Sequence, residues 1–327
     1  MNERKLKING DTWANLNYNL ADKILKESFT NKKLNKPISD YDTIYHYTDL
    51  NGLIGIIESQ TLFSTHINFL NDRKEFQHGL DLIESVLMEK DNVVHKRMLN
   101  ELNKKVENLK NLEKYVTCFS RNGDLLSQWR SYGNQGKGVA IGFDPIEITE
   151  SFEEILNGSN ILYDEKDQKE IISEIIKISI EYFKEHKNYY DWEGCDYNFM
   201  ISKAIIEFLE SMIIGWKHPS FSEEKEFRLE YDVDYLSNRK SNKEILFRKS
   251  DRLLIPYIKL YSKYSKNKDE SPEQIKHTDS DQKLPITKVI LGPSLDFESN
   301  EMAIQMLLRK NGFNNVEIKA SQIPYRI

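Results

Sequence analysis

The sequence predicts an α+β protein, and three stretches carry that expectation. Residues 44–72, IYHYTDLNGLIGIIESQTLFSTHINFLND, read as strand, short helix, second strand and polar turn. Residues 115–144 hold YVTCFS, a short helical stretch between Gly-containing turns, and VAIGFD, so two strands flank a helix. Residues 165–213 carry Ile171, Ile172, Ile175 and Ile176, then Ile201, Ile205, Phe208, Leu209 and Met212, at helical spacing.

Composition bounds the rest. The 327 residues are 39% hydrophobic and 30% charged, enough for a large core. A net charge of −6 does not suggest a dedicated nucleic-acid binder, although a local basic groove remains compatible with it. The 2 cysteines, Cys118 and Cys195, form no C-x-x-C, which fits a reduced protein. The first residues are basic with no apolar run behind them, and no segment has the ~20 apolar residues of a membrane span. The expectation is a cytoplasmic protein with no membrane partner.

In chain order, residues 1–40 are polar and predict an N-terminal helical extension, with a helix near 11–28. Residues 41–327 are expected as a single α+β domain with a helical insertion at 165–213 and a mobile loop at 263–284. In the first strand His46 and Thr48 share one face, while Tyr45 and Tyr47 share the other. Asp49 suits the N-cap of a helix bearing Leu50, Leu53, Ile54 and Ile57. A helix from Arg73 and a charged helix over 95–112 follow. Residues 223–231, EEKEFRLEY, alternate cleanly: Phe227, Leu229 and Tyr231 face one side, and Glu224, Glu226, Arg228 and Glu230 the other. Strands are expected in 245–261, at PITKVILGPS and at VEIKAS, with a helix over 298–310 that Asn311 and Gly312 stop.

Four groups are candidates for chemistry, each with a structural alternative. His46 is a binding residue or a hydrogen-bonded strand histidine. Glu224 and Glu226 are a carboxylate pair in one cleft, or a solvated face neutralised by Arg228. Ser120, Gln128, Trp129 and Tyr132 are an aromatic wall with polar handles, or core packing. Asn71, Asp72 and Glu75 are a polar site, or a turn and a helix start. No phosphate-loop, nucleophile-elbow or H-E-x-x-H motif occurs, and the 7 histidines lack metal-ligand spacing, so no metal is expected. GNQGKG leads into a strand, so no helix N-terminus stands behind it to receive a phosphate.

Taken in order, YHYT, TLFSTHINFLND with Glu75-Phe76, CFS…D-x-x-x-QW-x-x-Y, GVAIGFD and KHPSFSEEKEFRL resemble the bacterial DUF2971 family, a domain of unknown function. The resemblance covers roughly residues 44–232, with 286–320 also similar. A more distant resemblance is to ADP-ribosyltransferases, which implies a split antiparallel β-sheet core clasping NAD. In that comparison Glu226 is the catalytic glutamate and Glu224 its E-x-E partner. His46 holds the ribose, Ser120 or Tyr132 takes the middle position, and Trp129 or Tyr132 stacks the nicotinamide. Tyr47, Gln128 and Arg228 complete the expected NAD-binding set.

The resemblance thus implies an enzyme that cleaves the nicotinamide–ribose bond of NAD and passes ADP-ribose to a macromolecular acceptor, a protein or a nucleic acid. An NAD glycohydrolase is the variant with water as acceptor. A non-catalytic nucleotide-sensing or binding module is the alternative of another class. A prokaryotic stress or phage-defence role fits either.

Overall fold

The computed structural model describes residues 6–7, 10–28, 42–70, 75–90, 92–107, 114–152, 157–192, 194–232, 244–250, 253–262 and 283–325. In chain order the elements are β1 (Leu6–Lys7), α1 (Gly10–Ser28), β2 (Ile44–Thr48), α2 (Leu50–Ser59), β3 (Thr61–His66), α3 (Glu75–Met88) and α4 (Val93–Glu107). Next come β4 (Lys114–Ser120), α5 (Leu126–Ser131), β5 (Val139–Phe143), α6 (Pro145–Glu150), β6 (Asn157–Asn160), α7 (Glu165–His186), β7 (Tyr190–Asp191) and α8 (Tyr197–Met212). The last are β8 (Glu226–Asp232), β9 (Leu246–Lys249), β10 (Leu254–Tyr261), β11 (Ile286–Leu291), α9 (Phe297–Lys310) and β12 (Glu317–Ala320). Asn71, Asp72 and residues 263–282 of the loop expected at 263–284 lie outside the described residues.

The chain forms two compact units. One comprises 1–36, 72–112 and 162–221; the other comprises 37–71, 113–161 and 222–327. The N-terminal helix and the helices of the 165–213 segment fall in the first unit. There α1 packs on α7, with Trp13 stacked on Phe183 at 5.8 Å. The isoleucines at 171, 172, 175 and 176 are all buried, as helical spacing requires of a core face. Asp164 and Asp196 cap α7 and α8 through the backbone N–H groups of Asp167 and Phe199.

The second unit holds an open, mostly antiparallel sheet with helices around it. Its strand order is β12-β11-β5-β2-β4-β3-β10-β9, with β8 on β4 and β6 on β8. Among the described residues of this sheet, only β11 and β12 pair in parallel. Asp49 caps α2 as expected, accepting from Gly52 N at 2.7 Å. The buried face of α2 is Leu53, Ile56 and Ile57, whereas Ile54, expected inside, is 43% exposed. One sheet face carries the main core, in which Ile44, Phe119, Ile141, Phe227, Leu229 and Val289 meet Ile304 and Leu308 of α9.

The sheet is divided at β4. On one edge β4 pairs with β8 over its full length, from Lys114↔Asp232 to Ser120↔Glu226. Two strands share the other edge. β3 meets it at Tyr115 and Val116, and β2 at Ser120. Side chains close the interval between them. His46 Nδ1 reaches Cys118 O at 3.0 Å, Ser64 Oγ lies 2.7 Å from Thr117 Oγ1, and Thr117 Oγ1 donates to Phe63 O at 3.2 Å.

The glycines of GNQGKG serve backbone packing. A Cβ on Gly138 would lie 2.2 Å from Thr48 O, and Gly138 O accepts from Gly292 N at 2.9 Å. Gly138→Ala is therefore expected to destabilise the fold by at least ~2 kcal/mol, read as a lower midpoint in urea unfolding.

Candidate functional site

Strand alternation places Glu226, Arg228 and Glu230 on one face of β8, opposite Phe227, Leu229 and Tyr231. That periodicity was legible, but the polar face is not solvated. Arg228 is fully buried and Glu226 only 5% exposed. The guanidinium holds the carboxylate at both oxygens: Arg228 Nε donates to Oε1 at 2.7 Å, and Nη2 to Oε2 at 3.0 Å. Further along, Glu230 accepts from Ser159 Oγ at 2.8 Å, and burial raises its pKa above the usual carboxylate range.

Glu224 does not share this face. The strand expected over 223–231 begins at Glu226, because Pro219–Glu224 forms a 3₁₀ turn and Lys225 sits at φ 46°. The left-handed residue breaks the alternation on which an E-x-E pair depends. Glu224 instead offers its backbone carbonyl to Ser120 Oγ at 2.7 Å.

His46 lies on the other face. Register pairs Tyr45 with Ser120, and Ser120 with Glu226, so these three share a side. His46, one residue on, pairs with Ile141 of the main core and meets Phe119 edge-on at 5.8 Å. His46 and Glu226 are therefore not brought into one cleft. A carbonyl only accepts, so the bond to Cys118 O assigns the proton to Nδ1. Burial lowers the pKa of His46, the Cys118 carbonyl opposes that shift, and Arg248 adds to it.

The aromatic wall is a structural knot. Trp129 is completely buried, and its indole Nε1 donates to Asp124 Oδ1 at 2.7 Å. Asp124 also accepts from Ser321 Oγ at 2.5 Å and Gln322 N at 2.7 Å, which ties the last described segment to α5. Tyr47 meets Trp129 edge-on at 4.8 Å. Its hydroxyl donates to Asn122 O at 2.7 Å and accepts from Leu125 N at 3.1 Å. Burial holds that phenol protonated well above its ordinary range. Ser120 Oγ accepts from Asn122 N at 3.1 Å. Gln128 is buried, and its carbonyl accepts from Tyr132 N and Gly133 N. Tyr132, expected beside Trp129 on one helix face, is the C-cap residue of α5 and 36% exposed. Of the expected wall, Trp129 is committed to packing, and Tyr47, expected to bind NAD, is committed to the same packing.

More accessible rings occur elsewhere in this unit, where Phe63 is exposed and Tyr257 half-buried. On β3 and β10, Phe63 and Tyr257 meet at 4.5 Å with their planes 33° apart. Arg248 of β9 donates from Nη2 to Thr65 Oγ1 at 3.2 Å. These residues are not among the candidates that the sequence suggested. Their signal was the alternation Tyr257, Lys259, Tyr261 in LLIPYIKLY, which puts two rings and a cation on one face of a strand.

Among the described residues, no group of three or more His, Cys, Asp or Glu side chains is arranged to hold a metal, and no helix is long and apolar enough to cross a membrane. The model of a family described as Protein of unknown function (DUF2971) matches residues 128–229. This supports the family that the motif order suggested. The matched part includes Gln128, Trp129 and the Glu226–Arg228 pair, while YHYT and TLFSTHINFLND precede it. No curated protein and no solved structure matches the chain.

Two outcomes follow from this geometry. Arg228→Met takes the guanidinium away from a buried carboxylate and should cost about 3–5 kcal/mol in urea unfolding, with Arg228→Met/Glu226→Leu recovering much of the loss. His46 has a folded pKa below its ordinary 6.5, so its contribution to stability is present above pH 6.5 and lost as pH falls below that value. Stability measured between about pH 7.5 and 5 should fall less steeply for His46→Gln than for wild type.

Proposed function

We propose that this chain is a nucleotide-binding module that does not break the glycosidic bond of its ligand. The buried bidentate Arg228–Glu226 pair carries this reading. A transferase glutamate must offer its negative charge to a ribose that becomes cationic in the transition state. Here Arg228 already occupies both oxygens, and His46 stands on the opposite sheet face. Binding is supported by the open face of β3, β10 and β9. There Phe63 and Tyr257 suit a base, and Arg248 and Lys259 suit phosphate.

ADP-ribosyl transfer from NAD, to a protein or nucleic-acid acceptor, is the second reading. One observation favours it: the sheet divides at β4 and His46 bridges the interval, beside the late strand that carries Glu226. It requires Arg228 to release that glutamate when NAD binds.

Calorimetric titration with NAD and with ATP, run beside an assay of free nicotinamide, separates the two. The expected result is binding of at least one nucleotide with no nicotinamide released. Release by wild type that falls roughly 10²-fold or more in Glu226→Gln would overturn the module and establish transfer or hydrolysis. Failure of both to bind removes NAD and ATP as ligands.

A further inference from the structure

β3, β10 and β9 lie side by side at one end of the sheet. Their register builds one face row by row. Tyr257 stands between Thr65 and Leu246, Lys259 opposite Phe63, Tyr261 opposite Thr61, and Arg248 opposite Ile255. Side chains two apart on a strand share a face, so Tyr257, Lys259 and Tyr261 point the same way as Phe63 and Arg248. Phe63 is 45% exposed and Tyr261 46%. Phe63 sits diagonally between the two tyrosines in register and its ring meets that of Tyr257, with Tyr261 on the same face at the next diagonal position.

The charge on these strands is one-sided. The chain has 52 acidic residues, yet TLFSTH, LFRK and LIPYIKLY contain none. They carry Arg248, Lys249 and Lys259, of which Arg248 and Lys259 lie on the aromatic face. Rings interleaved with cations, without a carboxylate among them, complement a ligand that alternates flat rings with negative charge. From Tyr257 to Tyr261 the strand runs about 13 Å at ~3.4 Å per residue, which exceeds a single base. A duplex hides the faces of its bases, whereas an unpaired strand presents them for stacking.

We propose that the open face of β3, β10 and β9 binds single-stranded nucleic acid, with bases stacked on Phe63, Tyr257 and Tyr261 and phosphates on Arg248 and Lys259. This rests on the reading of the chain as a nucleotide-binding module and extends its ligand from a mononucleotide to a strand. Every base has a ring face, so stacking gives little sequence preference.

The test is fluorescence anisotropy of labelled dT and U strands about twelve residues long, with a duplex of equal length and with ATP, using the whole chain across a salt series. The single strands should bind more tightly than the duplex. Tyr257→Ala and Phe63→Leu should each weaken binding by about tenfold or more, and Lys259→Gln should flatten the salt dependence by about 0.7 in log–log slope. Tyr261→Ala, at an exposed position, serves where another variant fails to fold, and urea midpoints identify that failure. Absence of strand binding at low salt, equal affinity for the duplex, or full binding by folded ring variants overturns the proposal. Binding of ATP or NAD without strand binding overturns it too, but leaves the nucleotide module standing. Release of nicotinamide together with ring-dependent strand binding sinks the non-catalytic reading alone and makes this face the acceptor surface.

Discussion

The ion pair between Arg228 and Glu226 is the constraint on which the second unit depends. Removing two charges from water costs several kcal/mol per ion, and only close geometry returns that energy. The guanidinium reaches both carboxylate oxygens, at 2.7 and 3.0 Å, and the pair sits on β8, held between β4 on one side and β6 on the other. The opposite face of the same strand fills the main core with Phe227, Leu229 and Tyr231. One strand therefore supplies both an apolar layer and a buried ionic one. A charge placed so deep is fixed by its partner, and this sets what chemistry it has to give.

The division of the sheet follows from where β4 finds partners. β8 pairs with it throughout, but β2 and β3 each take only one end of the other edge. A carbonyl left in that interval needs a donor, and His46 provides one from a neutral ring. The histidine's lowered pKa and its bond to Cys118 describe the same fact, an imidazole held inside the sheet. Such a residue has its main role in the fold, whatever ligand the protein takes.

Asp124 and Trp129 come from one stretch of chain and Tyr47 from another, and together they bind the start of α5 to β2 and to Ser321 and Gln322. An aspartate that accepts an indole N–H, a hydroxyl and a backbone N–H has little capacity left for a ligand. Trp129, inside the matched segment, thus helps to hold the sheet and the first loop together. The surface proposed for a ligand lies on β3, β9 and β10, and of these β9 and β10 follow the region matched by the family model.

Sequence alone determined most of the elements and much of their inner faces. Leu53 and Ile57 of α2, the cap at Asp49 and the alternation through 226–231 are local, so a single chain segment specifies them, whereas Ile54, read on the same face as Leu53, is exposed. It also placed Glu226 and Arg228 together on one side of a strand. Tertiary structure alone decided that this side is buried, that Lys225 turns Glu224 away from it, and that His46 faces the other way. Burial, register and strand pairing depend on residues far apart in sequence, such as Tyr45, Ser120 and Glu226, and no local period encodes which of them will meet. For the same reason the rings of Phe63 and Tyr257, nearly two hundred positions apart in sequence, became a single surface only when β3 and β10 paired.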